Sequence, residues 1–151
     1  SAALAGTTLP IDRKFVAKKL GFSRVSRNSI DGVTDRDFAL ELSAVLSTIG
    51  IHLSRIAEEL ILWTTHEFGF LKLDESVLTG SSMMPQKQNP DFLELIRGSA
   101  AQLIGHQTAM AALLKGLSSG YQRDLQLDKE ILFGSRRNLE LGTRFHPNPG
   151  T

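Results

Sequence analysis

Apolar residues recur at steps of three and four from Phe38 through Leu42, Val45, Ile49, Leu53, Ile56 and Leu60 to Trp63. That spacing predicts one face of a continuous α-helix. No proline interrupts the run, and Gly50 is its one weak point. Thr34 reads as the N-cap, with Asp35 and Asp37 in the first turn where acidic groups complement the helix dipole. The pattern fades near Phe68, so the helix is roughly 50 Å long at ~1.5 Å per residue, a length that belongs to bundles rather than to compact small domains. A second stripe runs through Phe92, Leu95, Ile96, Leu103, Met110, Leu113, Leu114 and Leu117, with Ser99, Ala100 and Gln107 on the intervening turns. Asn89, Pro90 and Asp91 fit N-cap, N1 and N2, three start signals in a row.

Shorter elements surround these two. A helix is predicted from Ile11 to Leu20, stopped by Gly21, followed by a polar connector, "SRVSRNSIDGV". After Gly116 and the "LSSGYQ" turn, a helix is predicted from Arg123 to Phe133. Residues 1–133 therefore read as one helical unit. Residues 134–151, rich in glycine and proline and without a period, read as a loop or disordered tail. No repeat and no strand-like alternation of useful length appears. The predicted class is all-α, a long-helix bundle whose stripes are too long to be covered by this chain alone.

Composition narrows the partners. Seventeen basic and sixteen acidic residues give a net charge of +1 without a block of like charge, so no nucleic-acid footprint or polybasic membrane anchor is evident. The longest uninterrupted apolar runs are too short to cross a bilayer. A small molecule or a protein is the better default partner. The absence of cysteine excludes disulfides and thiolate metal sites and fits a reducing, cytoplasmic setting. The opening "SAALAG" lacks an initiating methionine and reads as the interior of a longer chain.

The candidate chemistry sits between the two long helices, in "TGSSMMPQKQNPDF" at positions 79 to 92. A helix starting there points free N–H groups and its positive dipole end back at the loop, and Lys87 adds a full charge. Ser81 and Ser82 offer hydroxyls and Asn89 an amide, while Gly80 gives the loop freedom to move. The loop is thus equipped to bind a carboxylate and stabilise charge developing on it. On spacing alone a plain connector, its methionines filling an irregular gap, is the more economical reading. The segment is neither a P-loop nor a G-x-S-x-G elbow. His52, His66, His106 and His146 lack metal-ligand spacing, so no metal or cofactor is predicted. Glu94 and Arg97, three apart, read as a surface pair, and Glu58 and Glu59 as a solvated face.

"GSSMMPQKQNP" resembles the signature of the fumarase/aspartase superfamily, G-S-S-x-M-P-x-K-x-N-P. Around it, "ALAGTTLPIDR", "NSIDGVTDRDF", "HLSRIAEELILW", "QKQNPDFLELIRG" and "LLKGLSSGYQRDLQLDKE" are similar to the argininosuccinate lyase family, which includes the lens delta-crystallins. The similarity extends from about Ala3 to Phe133. It implies part of a central helical domain in a cytosolic homotetramer, whose active sites are shared between subunits and need no cofactor. The implied reaction eliminates fumarate from argininosuccinate, leaving arginine. In that family's terms Ser81 is the base, Lys87 stabilises the carbanion-like intermediate and Asn89 holds a substrate carboxylate. Glu94 pairs with a catalytic histidine, Tyr121, Gln126 and Lys129 contact substrate, and Arg36 is a weaker candidate for the site. Another fumarate-releasing lyase, of the adenylosuccinate lyase, fumarase or aspartase type, and a non-catalytic crystallin are the alternatives.

The departures are specific. Gln88 stands where the family often has lysine, and Leu127 replaces a common acid, which predicts that Lys129 loses a neighbouring charge. The family's upstream Ser-Arg-Asn-Asp and Thr-His segments have no match in these 151 residues. The chain alone is therefore expected to be inactive, with one of three contributing regions present.

Overall fold

Capping chemistry sets the first elements of the computed structural model, which describes residues 4–80, 82–84 and 88–143, the side chains of 141–143 apart. Helix α1 (Arg13–Lys19) starts where the Asp12 carboxylate accepts from the Lys14 and Phe15 N–H groups at 3.0 Å each. It ends in a Schellman closure: the Phe22 N–H reaches the Ala17 carbonyl at 2.9 Å and the Gly21 N–H reaches Lys18 at 3.2 Å. Gly21 has the positive φ, 76°, that this closure requires. The polar connector holds an element that periodicity does not reveal, the six-residue helix α2 (Ser29–Thr34), capped by Asn28 through the Ile30 and Asp31 N–H groups. Thr34 consequently closes α2 and does not cap the long helix. That role falls to Arg36 by position, with the Asp35 carboxylate accepting from the Asp37 N–H at 2.8 Å.

Helix α3 (Asp37–Thr64) has 28 residues and is about 42 Å long at ~1.5 Å per residue. A two-strand hairpin base follows, β1 (Thr79–Gly80) antiparallel to β2 (Gln88–Asn89), then α4 (Asp91–Leu114), with 24 residues. Asn89 thus belongs to β2, and Pro90 stands at the N-cap without a side-chain bond. Helices α3 and α4 run antiparallel. Gly50 of α3 faces Ala100 and Leu103 of α4 at the middle, Glu58 meets Arg97 towards one end, and Arg36 shares a cavity with Leu114 and Leu117 at the other.

The face of α3 that packs against the chain differs from the stripe that predicted the helix. Its buried residues are Ala39, Ser43, Ser47, Gly50 and Ala57, a set of small side chains also at helical spacing. They admit Leu93, Leu103 and Met110 of α4, all nearly inaccessible. A Cβ at Gly50 would lie 2.7 Å from Leu103 Cδ1, so a larger residue there would push the Leu103 side chain aside. The large-residue stripe points outward instead, with Phe38 62%, Val45 55% and Ile56 58% exposed. Periodicity identifies an apolar face but not its partner. By length and mean hydropathy α3 also meets the requirement for crossing a membrane, which corrects the sequence expectation. Its Arg55, Glu58 and Glu59 are exposed charges that a bilayer core would penalise.

The tail expected after Phe133 is partly helix. Helix α5 (Asp128–Thr143) continues through Gly134 and packs on α4, and residues 144–151 lie outside the described set. Gly134 is a point of close approach and not a breaker: a Cβ there would meet the His106 ring at 2.8 Å. Ser135, 1% exposed, donates to the Ile131 carbonyl at 2.9 Å and lies 3.1 Å from His106 Nδ1. Arg136 and Glu140, one turn apart at 2.8 Å, support the exposed face.

Candidate functional site

The signature loop is closed at its base by pairing of Thr79 with Asn89 and Gly80 with Gln88. This brings Asn89 to the N-terminus of α4. Ser81 and Lys87 lie outside the described residues. Ser82 and Met83 are exposed. Beside the hairpin a cavity of about 290 Å³ is lined by Thr65, His66, Leu78, Gln88 and Pro90, so the C-terminal end of α3 forms its far wall.

Glu94 stands in the first turn of α4, where a carboxylate is favoured by the helix dipole. Its Oε1 lies 4.0 Å from Arg97 Nη2, while Arg97 Nη1 donates to Glu58 Oε2 of α3. Glu58 is therefore an interhelix partner, not merely a solvated charge. Glu94 is about half exposed, its carboxylate open to a group arriving from outside the chain.

The remaining candidates occupy the opposite end of the bundle. Arg36 Nε donates to Asp128 Oδ2 at 2.6 Å, with side-chain exposures of only 16% and 7%. Arg36 also donates to the Asp35 carbonyl at 2.8 Å. Asp128, in turn, accepts from Lys129 Nζ at 3.2 Å. Burial pushes the Asp128 carboxyl up, but the hydrogen bonds and charges of Arg36 and Lys129 outweigh it and hold the group below the usual carboxylate range. Lys129 thus keeps Asp128 as an anionic neighbour beside Leu127. Its ammonium stays accessible, as do Tyr121, which follows Gly120 at φ 90°, and Gln126 in the 3-10 turn 123–127.

The structure therefore gathers Arg36, Asp128 and Lys129, and separates them from Asn89 and Glu94 by the length of α4, about 36 Å at ~1.5 Å per residue. From sequence Asp128 reads, with Tyr121, Gln126 and Lys129, as part of an ordinary polar helix face, not as the partner of Arg36. Its signal is weak, because its partner Arg36 is 92 residues away and a first-turn acid is ordinary for any helix. Glu58 was missed for the same reason, with Arg97 39 positions distant.

The described residues thus form a long antiparallel helix pair with a two-residue ladder at one end and the Arg36–Asp128 pair at the other. The sequence pattern of a family described as lyase matches residues 1–105, and the chain belongs to that family. More particularly, it is similar to argininosuccinate lyases: 59% identical to that of Moorella thermoacetica over 133 residues, 88% of this chain and 29% of the relative. It is 54% identical to that of a Synechocystis species over 141 residues, 93% of this chain and 31% of the relative. The chain spans about three tenths of the length of these curated relatives. Among solved structures, an EDDS lyase in complex with formate superposes at TM-score 0.73 with 34% identity, covering 97% of this chain and 30% of that one. A fumarate lyase:delta crystallin from Brucella melitensis, 24% identical at TM-score 0.65 over 85% of this chain and 31% of that one, shares the fold.

Proposed function

We propose that this chain is part of an argininosuccinate lyase, an enzyme that removes fumarate from argininosuccinate and leaves arginine. The observation that carries the reading is the high identity to argininosuccinate lyases over almost the whole chain, joined to the signature "GSSMMPQKQNP". The reaction takes a weakly acidic proton from the carbon beside a carboxylate and then breaks the neighbouring carbon–nitrogen bond. Its difficulty is the doubly charged carboxylate formed between these steps. In this proposal Ser81 accepts the proton, Lys87 balances the growing charge and Asn89 donates to the carboxylate. Glu94 orients a histidine contributed from outside this chain. Tyr121, Gln126 and Lys129 serve substrate binding at the other end, and Arg36 acts there through Asp128.

The whole protein is proposed to be a cytoplasmic homotetramer in which copies of α3 pack through Phe38, Val45 and Ile56. The exposure of that stripe supports the reading, because a large apolar face left open marks an interaction surface. The proposed tetramer also accounts for α3's apolar length without a membrane.

The test is turnover by the full-length protein, followed as fumarate release from argininosuccinate, adenylosuccinate, malate and aspartate. Argininosuccinate should be the preferred substrate, and preference for another would transfer the chain to a different fumarate-releasing lyase. Ser81→Ala in the same protein should lower turnover by about 10²–10⁴-fold while substrate affinity stays close to wild type. Full activity in that variant would remove Ser81 from the role of base, and inactivity of the wild type on all four substrates would favour a structural protein.

A further inference from the structure

A concave surface between α1 and the connector leading to α2 lies apart from every residue assigned above to the lyase reaction. Lys14 and Lys18 stand one turn apart on α1, and Arg24 and Arg27 approach from the connector. Together with Phe22 and Val25 they line a cavity of about 610 Å³ that no carboxylate lines. Among the described residues, none of these four cations lies within 4.0 Å of a carboxylate oxygen. The charge is local to this segment. Between Leu4 and Arg27 the sequence holds six basic residues and one acidic residue, Asp12, in a chain that is otherwise close to balanced. Asp12 is itself occupied in capping α1.

The cavity is fixed on both sides. The Schellman closure at Gly21 turns the chain sharply, placing Phe22 and Arg24 opposite Lys14 and Lys18. Arg13 then donates to the Ser26 carbonyl and ties the far end of the connector back to the start of α1. Val25 and Ala17 are half-buried and supply an apolar floor. Like charges one turn apart on a helix repel, and Arg24 and Arg27 add to that field. A concave wall concentrates such a potential, so an anion seated there relieves the repulsion while gaining donors from two ammonium and two guanidinium groups.

We propose that this cavity binds a small organic polyanion with at least two phosphate or carboxylate groups, its carbon skeleton resting on Phe22 and Val25. The anionic groups pair with the lysines on one wall and the arginines on the other. The test uses the 151-residue chain at low ionic strength, titrated with pyrophosphate in one arm and citrate in the other, while backbone amide resonances are followed by NMR. The expected result is saturable shifts of the residue 21–25 amides in at least one arm. Tighter binding of pyrophosphate identifies a phosphoryl ligand, and tighter binding of citrate a polycarboxylate. Lys18→Glu combined with Arg24→Glu should weaken that binding at least tenfold, and the single Arg24→Gln, a milder exposed change, severalfold. Lys72→Glu, an exposed control outside the cavity, should leave it unchanged. No saturable shift with either probe up to millimolar concentration overturns the proposal. So does a loss in the Lys72→Glu control equal to that in the double variant.

Discussion

The two ends of the α3–α4 pair handle charge in opposite ways. At the end formed by Arg36 and Asp128, the chain completes its own polar network: a buried carboxylate receives a guanidinium and an ammonium, and the backbone carbonyl of Asp35 takes a further guanidinium proton. At the hairpin end Glu94, Arg97 and Glu58 are exposed beside a two-residue ladder. One end is closed by intrachain chemistry, whereas the other presents its groups outward. A single chain holds them about 36 Å apart, the length of α4 at ~1.5 Å per residue. The lesson is that residues bearing on one proposed reaction need not converge within one chain.

The contrast is most severely tested at the closed end. Asp128→Ala leaves the half-buried Arg36 without its carboxylate and should lower the stability of the chain by about 3 kcal/mol, read as a shift in the denaturant midpoint. The same carboxylate predicts an acid limb. Its folded pKa lies below the ordinary value, so its contribution is fully present above about pH 4 and is lost as pH falls through the folded pKa. Asp128→Asn should therefore be less stable at neutral pH and flatten that limb, and an unchanged acid profile would show that the pair does not link protonation to folding.

Between the ends, Gly50 sets how closely the helices approach. Gly50→Val forces its side chain against Leu103 Cδ1 and the Ala100 backbone and should cost about 2 kcal/mol by overpacking, outweighing any gain in helix propensity. Thermal denaturation checks this, and a stabilised variant would mean that α3 and α4 are not seated through this contact. The smallest effect belongs to the open end. Glu58→Gln removes the exposed partner of Arg97 and should leave the midpoint within experimental scatter, as surface ion pairs usually do. A loss as large as that of Asp128→Ala would abolish the distinction between the two ends.

Much of this was legible in the sequence. The two long helices, the stop at Gly21 and the loop-to-helix boundary were set by periodicity, a helix-stopping glycine and the Asn-Pro-Asp start, to within a few residues, whereas the two-residue ladder before α4 was not. What could not be read was partnership. The stripe of Phe38, Val45 and Ile56 marks an apolar face, but the intrachain contact uses Ala39, Ser43, Ser47 and Gly50, whose small side chains carry little hydropathy signal. Helix α2 is too short for periodicity, and its only marker is the Asn28 cap. Gly134 looked like a breaker because glycine's usual role hides the close approach of His106. In the candidate site, the signature and its neighbours were recognisable, whereas Asp128 and Glu58 acquire their partners only when distant segments meet.

We propose, centrally, that the hairpin end and the Lys129 end serve different sites in the whole protein. It is tested by preparing two full-length variants, Glu94→Ala and Lys129→Ala, each of low activity, and dissociating and reassembling them together in equal amounts. If each site draws its two ends from different subunits, mixed assemblies contain sites with both parts intact. Turnover should then rise towards about a quarter of wild type, the random-assortment fraction in a symmetric oligomer. Turnover no higher than the mean of the two separate variants, in verified mixed assemblies, would contradict the account.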